Sequence, residues 1–214
     1  WGGEPALGGI VYRTVEEDGT RVALLETGEL DVIANLPPAD LARLQQRQDV
    51  AVLAEPGSRV MHIGINTGKA PFNDVRVRQA LNYAIDQEGL IAGVLQGVGE
   101  PASSVISPTV WGYSAVSPYE YNPERARELL REAGYPDGFK TTLYWLNTHS
   151  SELLGTIRAM WKAVGVDAEP RLVDSGTWVA SIGSGEAPLI ISLATRADPD
   201  VWYSSFFHSA AFPP

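Results

Sequence analysis

Three histidines are the first candidates for chemistry in this chain, because histidine acts as a general base and as a metal ligand near neutral pH. His62, His149 and His208 lie far apart, and none has a second histidine at metal-ligand spacing. The chain has no cysteine, which excludes thiolate catalysis, disulfides and zinc-thiolate sites together. It also has no G-x-S-x-G elbow for a nucleophilic serine. The sequence therefore predicts neither a metal centre nor a familiar hydrolase site.

Two further segments imitate functional motifs. Residues 64–70 imitate a phosphate-binding loop, but the spacing is one residue short and the Ser or Thr that would hold magnesium is absent. Glu16, Glu17 and Asp18 could form a cation site, although three acids beside Gly19 are more typical of a solvated turn. We therefore predict no metal and no cofactor.

Composition narrows the class of partner. The 214 residues carry a formal net charge of -10, and no Lys/Arg cluster offsets it locally, which disfavours nucleic acid and anionic lipid. With 44% hydrophobic residues the chain can bury a core. No run of about 18 apolar residues occurs, so no transmembrane helix is predicted, and the first residues lack the pattern of a signal peptide.

The elements that must position any site are clearest in residues 71–136. Asn73 or Asp74 can cap a helix over residues 74–86, whose apolar side chains recur at helical spacing. A second helix and a long loop follow. Asn122 then caps a helix over residues 123–133 that begins with proline and is ended by Gly134.

The rest of the chain alternates strands and helices. Strands are predicted over residues 60–66, 139–146, 166–173 and 189–194, and helices from Ser150 or Ser151 to Gly165 and over residues 176–182. Upstream, residues 9–15, 31–34 and 50–53 read as strands separated by a helix capped at Thr20 and another beginning near Asp40. The first 55 or so residues are thus predicted to form a β-α-β-α-β unit, within a mixed α/β fold covered by helices.

Several phrases resemble one family. The runs PFNDVRVRQALNYAID, GEPA and NPERARELLREAGYPDGF are similar to the signature of the large solute-binding proteins of ABC importers, the cluster of oligopeptide, dipeptide and nickel binders. The resemblance extends upstream through LLETGELDVIANLPP and MHIGINT and downstream to ADPDVWYSSFFHS. It therefore covers nearly the whole chain.

The resemblance implies a periplasmic-binding-protein-like α/β fold of type II, cluster C. Residues 1–60 would be part of lobe one and residues 61–214 most of lobe two, so the chain would be an internal fragment. The implied function is the capture of a small or peptide-like solute in an interlobe cleft and its delivery to an ABC permease, without chemistry on the ligand. The implied location is periplasmic, or the extracellular face of the cytoplasmic membrane.

The resemblance also implies site residues on one edge of the second lobe. Residue matching gives these ligand-binding candidates: Tyr144, Asn147, Ser175, Trp178, Ser192, Thr195, Arg196 and Asp198. Gly64 and Asn66 would lie near the hinge on a strand that crosses between lobes; the alternative is an ordinary strand leading into a loop.

Three positions depart from the pattern of the peptide binders. Thr195 replaces an aspartate that pairs with the ligand's amino group, Ser192 replaces a tryptophan, and an aromatic is missing near Ser175. Arg196 adds a positive charge that could face an anionic ligand or lie exposed on a loop. We therefore expect no preference for ordinary zwitterionic dipeptides, and lean towards a ligand with an anionic group.

Two questions stay open at this point. The long loop carries Trp111, Tyr113, Tyr119 and Tyr121, which could line a ligand cleft or clamp the loop to the domain; the clamp is favoured. The rival functions are a ligand-sensing or interaction module with the same fold, which sequence cannot separate from transport, and a hydrolase, which lacks a recognisable nucleophile and base.

Overall fold

The computed structural model describes residue 3, residues 6–195 and residues 198–208, with the side chains of these residues except Ala194, Thr195 and Trp202. The chain divides into two compact units, Trp1–Ala54 and Glu55–Pro214. The elements, in chain order, are α1 (Asp18–Glu26), α2 (Pro38–Gln45), β1 (Arg59–Ile65), α3 (Val75–Tyr83), α4 (Gln87–Gly93), α5 (Pro123–Glu132), β2 (Phe139–Leu146), α6 (Ser151–Ala163), β3 (Val166–Val173), α7 (Ser175–Gly183), β4 (Leu189–Thr195) and α8 (Pro199–Phe206).

The first unit contains the two predicted helices. The Glu17 carboxylate caps α1 by accepting hydrogen bonds from the backbone N–H groups of Gly19, at 2.9 Å, and Thr20. The prediction that Thr20 caps this helix is therefore wrong. The helix begins two residues earlier, and the Glu17 carboxylate accepts from the N–H groups of its first turn, which have no partner within the helix. Gly28, with φ of +76°, follows the helix and ends it as predicted.

The three strands predicted in the first unit are wrong. Residues 9–15, 31–34 and 50–53 form no strand ladder, although the two helices between them are present. A strand needs a hydrogen-bonded neighbour, and among the described residues these segments have none. Several of their apolar side chains are left in solvent, among them Val11 at 93% exposure and Tyr12 at 91%. Local alternation alone does not supply the pairing that a strand requires.

The second unit is built on a four-stranded mixed sheet in the order β1-β4-β2-β3. Strand β2 runs parallel to β3 on one side and to β4 on the other, and β1 is antiparallel to β4. The register places Tyr144 opposite Ile190 and His62 opposite Ser192. The mixed α/β sheet is confirmed, and β2 and β3 begin and end where the alternation predicts.

Side chains that alternate along β2 enter two separate cores. Leu143 and Trp145 point into the main core, together with residues of α3, α5 and α6. Tyr144 points to the other face and packs in a smaller cluster beneath α7. Trp161 of α6 is buried and donates from Nε1 to the carbonyl oxygen of Leu81 at 3.1 Å, which ties α6 to α3. Both faces of β2 are therefore covered.

The helices of residues 74–133 are confirmed with one change of boundary. Asp74 and Asn122 cap α3 and α5 by accepting from the N–H groups of Arg76, at 2.8 Å, and Arg125, at 2.9 Å. The predicted helix over residues 74–86 ends instead at Tyr83, because Asp86 caps the next helix, accepting from the N–H of Gly89 at 2.8 Å. An aspartate that bonds to the backbone ahead of it starts a helix rather than continuing one.

The turn before β2 depends on two facing glycines. Gly138 and Gly165 have φ of +77° and +98°, and a Cβ built on Gly138 would lie 1.8 Å from the Gly165 carbonyl oxygen. That oxygen accepts the N–H of Phe139 at 3.1 Å, which starts the pairing of β2 with β3.

We predict that Gly138→Ala lowers the free energy of unfolding by about 3 kcal/mol or more. A Cβ at this position would be strained by the positive φ angle and would clash with the Gly165 carbonyl oxygen.

Chemical denaturation measures this effect, and Gly155→Ala is the matched control. Gly155 lies inside α6 with no atom within 4 Å of its would-be Cβ, so alanine there stabilises by about 0.5–1 kcal/mol. A Gly138→Ala protein as stable as the wild type would contradict the close approach of the two turns.

Candidate functional site

The carboxyl ends of three parallel strands define the candidate site. Because β2, β3 and β4 run in the same direction, the residues that follow them lie along one edge of the sheet. Asn147 follows β2, Asp174 and Ser175 follow β3, and Asp198 follows β4. Ligands of open α/β sheets bind outside such an edge. The side chains of all four residues are exposed, so they are free to meet a solute. We call this edge the carboxyl edge.

Two of these residues, Asp174 and Asp198, cap the helices that follow β3 and β4. Asp174 caps α7, accepting from the N–H of Thr177 at 2.9 Å and from its Oγ1 at 3.1 Å. These hydrogen bonds to Thr177 hold the pKa of Asp174 below its ordinary value, so the carboxylate stays ionised. Asp198 caps α8, accepting from the N–H of Asp200 at 2.9 Å. Both carboxylates therefore face the carboxyl edge with part of their hydrogen-bonding capacity already used.

Three other predicted site residues lie on the α7 face of the sheet rather than at its edge. Tyr144 is 3% exposed and Ser192 is 6% exposed, and their strands place both on this face. Trp178 of α7 packs on the same cluster and donates from Nε1 to the carbonyl oxygen of Ile191 at 2.7 Å. Trp178 thus fastens α7 to β4, and Tyr144 is engaged with Glu186 and Arg171.

The two remaining ligand-binding candidates, Thr195 and Arg196, come at the end of β4 in the sequence, and the structure describes little of them. The backbone of Thr195 ends β4 opposite Arg59, and Arg196 lies outside the described residues. The predicted role of Thr195 in place of an acidic ligand contact, and that of Arg196 beside an anionic ligand, therefore stay predictions.

The predicted hinge residues lie on β1 and its end. Gly64 faces Ile190, and a Cβ added to it would meet Ile190 Cγ2 at 3.2 Å, a tight contact that would need the isoleucine side chain to shift. Asn66 donates from Nδ2 to the Gly185 carbonyl at 2.8 Å and accepts from the N–H of Gly68 at 3.0 Å. Because β1 is antiparallel to β4, Asn66 lies at the opposite edge of the sheet from Asn147.

Two residues at the carboxyl edge were not among the ligand-binding candidates: Arg59, and His149, which the sequence offered only as a general base or metal ligand. Arg59 begins β1 opposite the end of β4, and His149 lies in the turn after β2. Burial, followed by the nearby Arg59 charge, lowers the pKa of His149 below its ordinary value. His149 Nε2 and the adjacent Trp145 Nε1 are buried without a hydrogen-bond partner in the described part of the chain. The strand order of the sheet brings Arg59 and His149 to the same edge, and no local sequence pattern predicts that order.

The long loop behaves mainly as a clamp. Tyr119 packs edge-on against Tyr83 with ring centroids 5.0 Å apart, and Tyr113 shares a hydrogen bond with Ser103 at 3.2 Å. Ser107 donates to the carbonyl oxygen of Gly57 at 2.7 Å, fastening the loop near the start of β1. Trp111 and Tyr121 are exposed at 68% and 51%. Of the four aromatics, Tyr119 thus fastens the loop to α3 and Tyr113 braces the loop internally, while Trp111 and Tyr121 are exposed to solvent.

Other features of the second unit lie away from this edge. A cavity of about 450 Å³, whose lining includes Arg131, Tyr135 and Lys162, is found near the amino ends of β2 and β3, on the far side of the sheet. No group of three or more His, Asp or Glu side chains within the described ranges is close enough to hold a metal ion. None of the described helices has the length and apolar content needed to cross a bilayer.

Sequence and structure comparisons give the family. The family described as bacterial extracellular solute-binding proteins, family 5 middle, matches residues 1–213. The chain belongs to this family of solute-binding proteins. It is 34% identical to the dipeptide-binding protein of Escherichia coli K12, over 99% of this chain and 41% of that protein. It is 36% identical to heme-binding protein A of Haemophilus influenzae, over 98% of this chain and 40% of that protein.

Solved structures confirm the type II periplasmic-binding fold. The ABC transporter-associated periplasmic binding protein DppA of Helicobacter pylori, in complex with the peptide STSA, superposes with a TM-score of 0.83 at 30% identity, covering 89% of this chain and 38% of that one. NikA of Brucella suis, in complex with Fe(III)-EDTA, gives 0.85 at 25% identity, covering 97% and 46%. The chain thus spans about two fifths of the length of the curated relatives it matches.

The Arg59–His149 pair gives a pH prediction. The pKa of His149 is lowered in the folded protein, so protonating it opposes folding, and the free energy of unfolding falls as the pH drops below the ordinary histidine pKa. Arg59→Met should raise the pKa of His149, because the repelling charge is removed. NMR titration of the imidazole Cε1–H measures it. Arg171→Met is the control, and an unchanged pKa of His149 in Arg59→Met would exclude the predicted coupling.

Proposed function

We propose that this chain is part of the substrate-binding component of an ABC importer, which captures a small solute and passes it to a membrane permease. The observation that carries the proposal is the family match over residues 1–213. The carboxyl edge supports it, because exposed polar side chains from three loops converge where such folds bind ligands. The relatives are named as solute-binding proteins rather than enzymes, and in this proposal the ligand leaves chemically unchanged.

The proposed location follows from the same role. A binding component that serves an importer works in the periplasm or at the outer face of the cytoplasmic membrane. We propose that residues up to about 60 belong to lobe one and the following residues to lobe two, with the ligand held in a cleft between lobes and Gly64 and Asn66 near the hinge. Closure of such a cleft removes the ligand from water, so that a few directed hydrogen bonds discriminate strongly.

The ligand class is proposed from the residues at the carboxyl edge. The matched proteins are named for dipeptide, heme and glutathione, so family membership alone leaves the ligand open. Thr195 supplies no negative charge for a ligand ammonium, and burying an ammonium without an ionised partner costs several kcal/mol. The two carboxylates at this edge are already used as helix caps, Asp174 by the N–H and Oγ1 of Thr177 and Asp198 by the N–H of Asp200. Arg59 adds a cation at this edge. We therefore propose a peptide-like or other small organic ligand with a carboxylate or another anionic group.

A titration of the full-length protein tests this ligand class. We expect tryptophan fluorescence to report binding of a member of an anionic panel without an ammonium group, such as a dicarboxylate, and not of plain zwitterionic dipeptides. Asp198→Asn is the informative variant. Micromolar binding of plain dipeptides that is abolished by Asp198→Asn would show that Asp198 takes the amino-group role, contrary to the proposal.

A second titration compares this chain with the full-length protein. We expect the isolated chain to bind the same solute far more weakly, because residues of both lobes are proposed to complete the cleft. Calorimetry gives both dissociation constants under one set of conditions. Equal affinities would mean that this chain alone holds the ligand and that no residue outside it completes the site.

A further inference from the structure

A closed triangle of polar groups lies on the α7 face, formed by Tyr144 of β2, Arg171 of β3 and Glu186 of the turn between α7 and β4. The Tyr144 hydroxyl donates to Glu186 Oε1 at 2.8 Å and accepts from Arg171 Nη1 at 2.6 Å. Arg171 Nη1 also donates to Glu186 Oε1 at 2.9 Å. The guanidinium carbon lies 4.9 Å from the centre of the Tyr144 ring. We call these three residues the latch.

The ionised form of Glu186 and the protonated form of Tyr144 both favour the hydrogen bonds of the latch. The hydrogen bond from Tyr144, followed by that from Arg171, lowers the pKa of Glu186, and Lys69 adds a smaller contribution of the same sign. Burial, followed by the bond to Glu186, raises the pKa of Tyr144, so its hydroxyl keeps its proton and remains a donor. Hydrogen bonds to an ionised partner are stronger than neutral ones. The Tyr144 hydroxyl is therefore already committed on both its donor and its acceptor side.

The turn that carries Glu186 is held from the other side by Asn66. Gly185, directly before Glu186, has φ of +64° and accepts Asn66 Nδ2 at 2.8 Å. The N–H of Asn66 donates to the carbonyl oxygen of Pro188 at 3.0 Å, two residues after Glu186. The turn is thus clamped between the latch on the β3 side of the sheet and the end of β1. Displacement of Glu186 would move both acceptors that orient Asn66.

We propose that Tyr144 is a positioning residue and not a ligand contact: through Glu186 and Arg171 it fixes the turn between α7 and β4, and through that turn it fixes the direction in which the chain leaves β1 at Asn66. One consequence rests on the proposed function, in which the ligand lies in an interlobe cleft and Asn66 lies near the hinge. The latch then fixes the backbone geometry at the start of the hinge segment. Specificity then depends on Tyr144 only indirectly, through the shape of the cleft.

Amide hydrogen exchange without any ligand tests the positioning role. Tyr144→Phe keeps the ring in its cluster and removes only the hydroxyl, and Glu186→Gln removes the charge. In Tyr144→Phe we expect the Asn66 amide to exchange about tenfold faster, the effect of losing one hydrogen bond to a charged group, while the Ile63 amide in the middle of β1 is unchanged. Glu186→Gln keeps an acceptor oxygen but not its charge, so we expect a smaller increase at Asn66. Tyr113→Phe, which removes a hydroxyl bonded to Ser103, is the matched control and should leave Asn66 unchanged.

Two outcomes would overturn the inference. One is an unchanged exchange rate at Asn66 in Tyr144→Phe and Glu186→Gln. The other is faster exchange throughout β1, which would mean general loss of stability rather than positioning. Solute titration of the same variants is a separate readout: loss of affinity in Tyr144→Phe with Asn66 exchange unchanged would assign Tyr144 to the ligand. The exchange measurement stands whether or not the full-length protein binds any solute of the panel.

Discussion

Strand β2 is hydrogen-bonded in parallel to β3 on one side and to β4 on the other, and the rest of the second unit depends on this double pairing. Parallel strands need crossover connections, which here are α6 between β2 and β3 and α7 before β4. The crossovers cover opposite faces, since α6 contributes to the main core and α7 covers the cluster around Tyr144. The same pairing gathers Asn147, Ser175 and Asp198 at one edge.

Local structure in the second unit could be predicted because its signals are local. Asn122 before a proline, Ser150 before an apolar stripe and the alternation of residues 139–146 each fix an element through neighbours a few positions away. The strands predicted over residues 9–15, 31–34 and 50–53 were wrong for the converse reason. A strand exists only with a partner, and alternation within one segment says nothing of whether a partner is present.

The candidate site, too, could be predicted from the sequence only in part. Resemblance placed Asn147, Ser175 and Asp198, and the sheet brings these three to one edge. It could not reveal that Arg59 and His149 join them, because their proximity comes from the order β1-β4-β2-β3 and not from spacing. Nor could it reveal that the Tyr144 hydroxyl is occupied, since its partners Arg171 and Glu186 lie 27 and 42 residues further along the chain. That Asn147, Ser175 and Asp198 contact a ligand stays a prediction.

The proposed function places the bound solute at the carboxyl edge. Hydrogen exchange of the full-length protein, with and without the solute that titration identifies, tests it most directly. We expect slower exchange in residues 147–150 and 174–178 on binding, and no change in residues 135–137 and 162–165, which line the cavity at the opposite edge. Slower exchange confined to that cavity, with residues 147–150 and 174–178 unaffected, would contradict it.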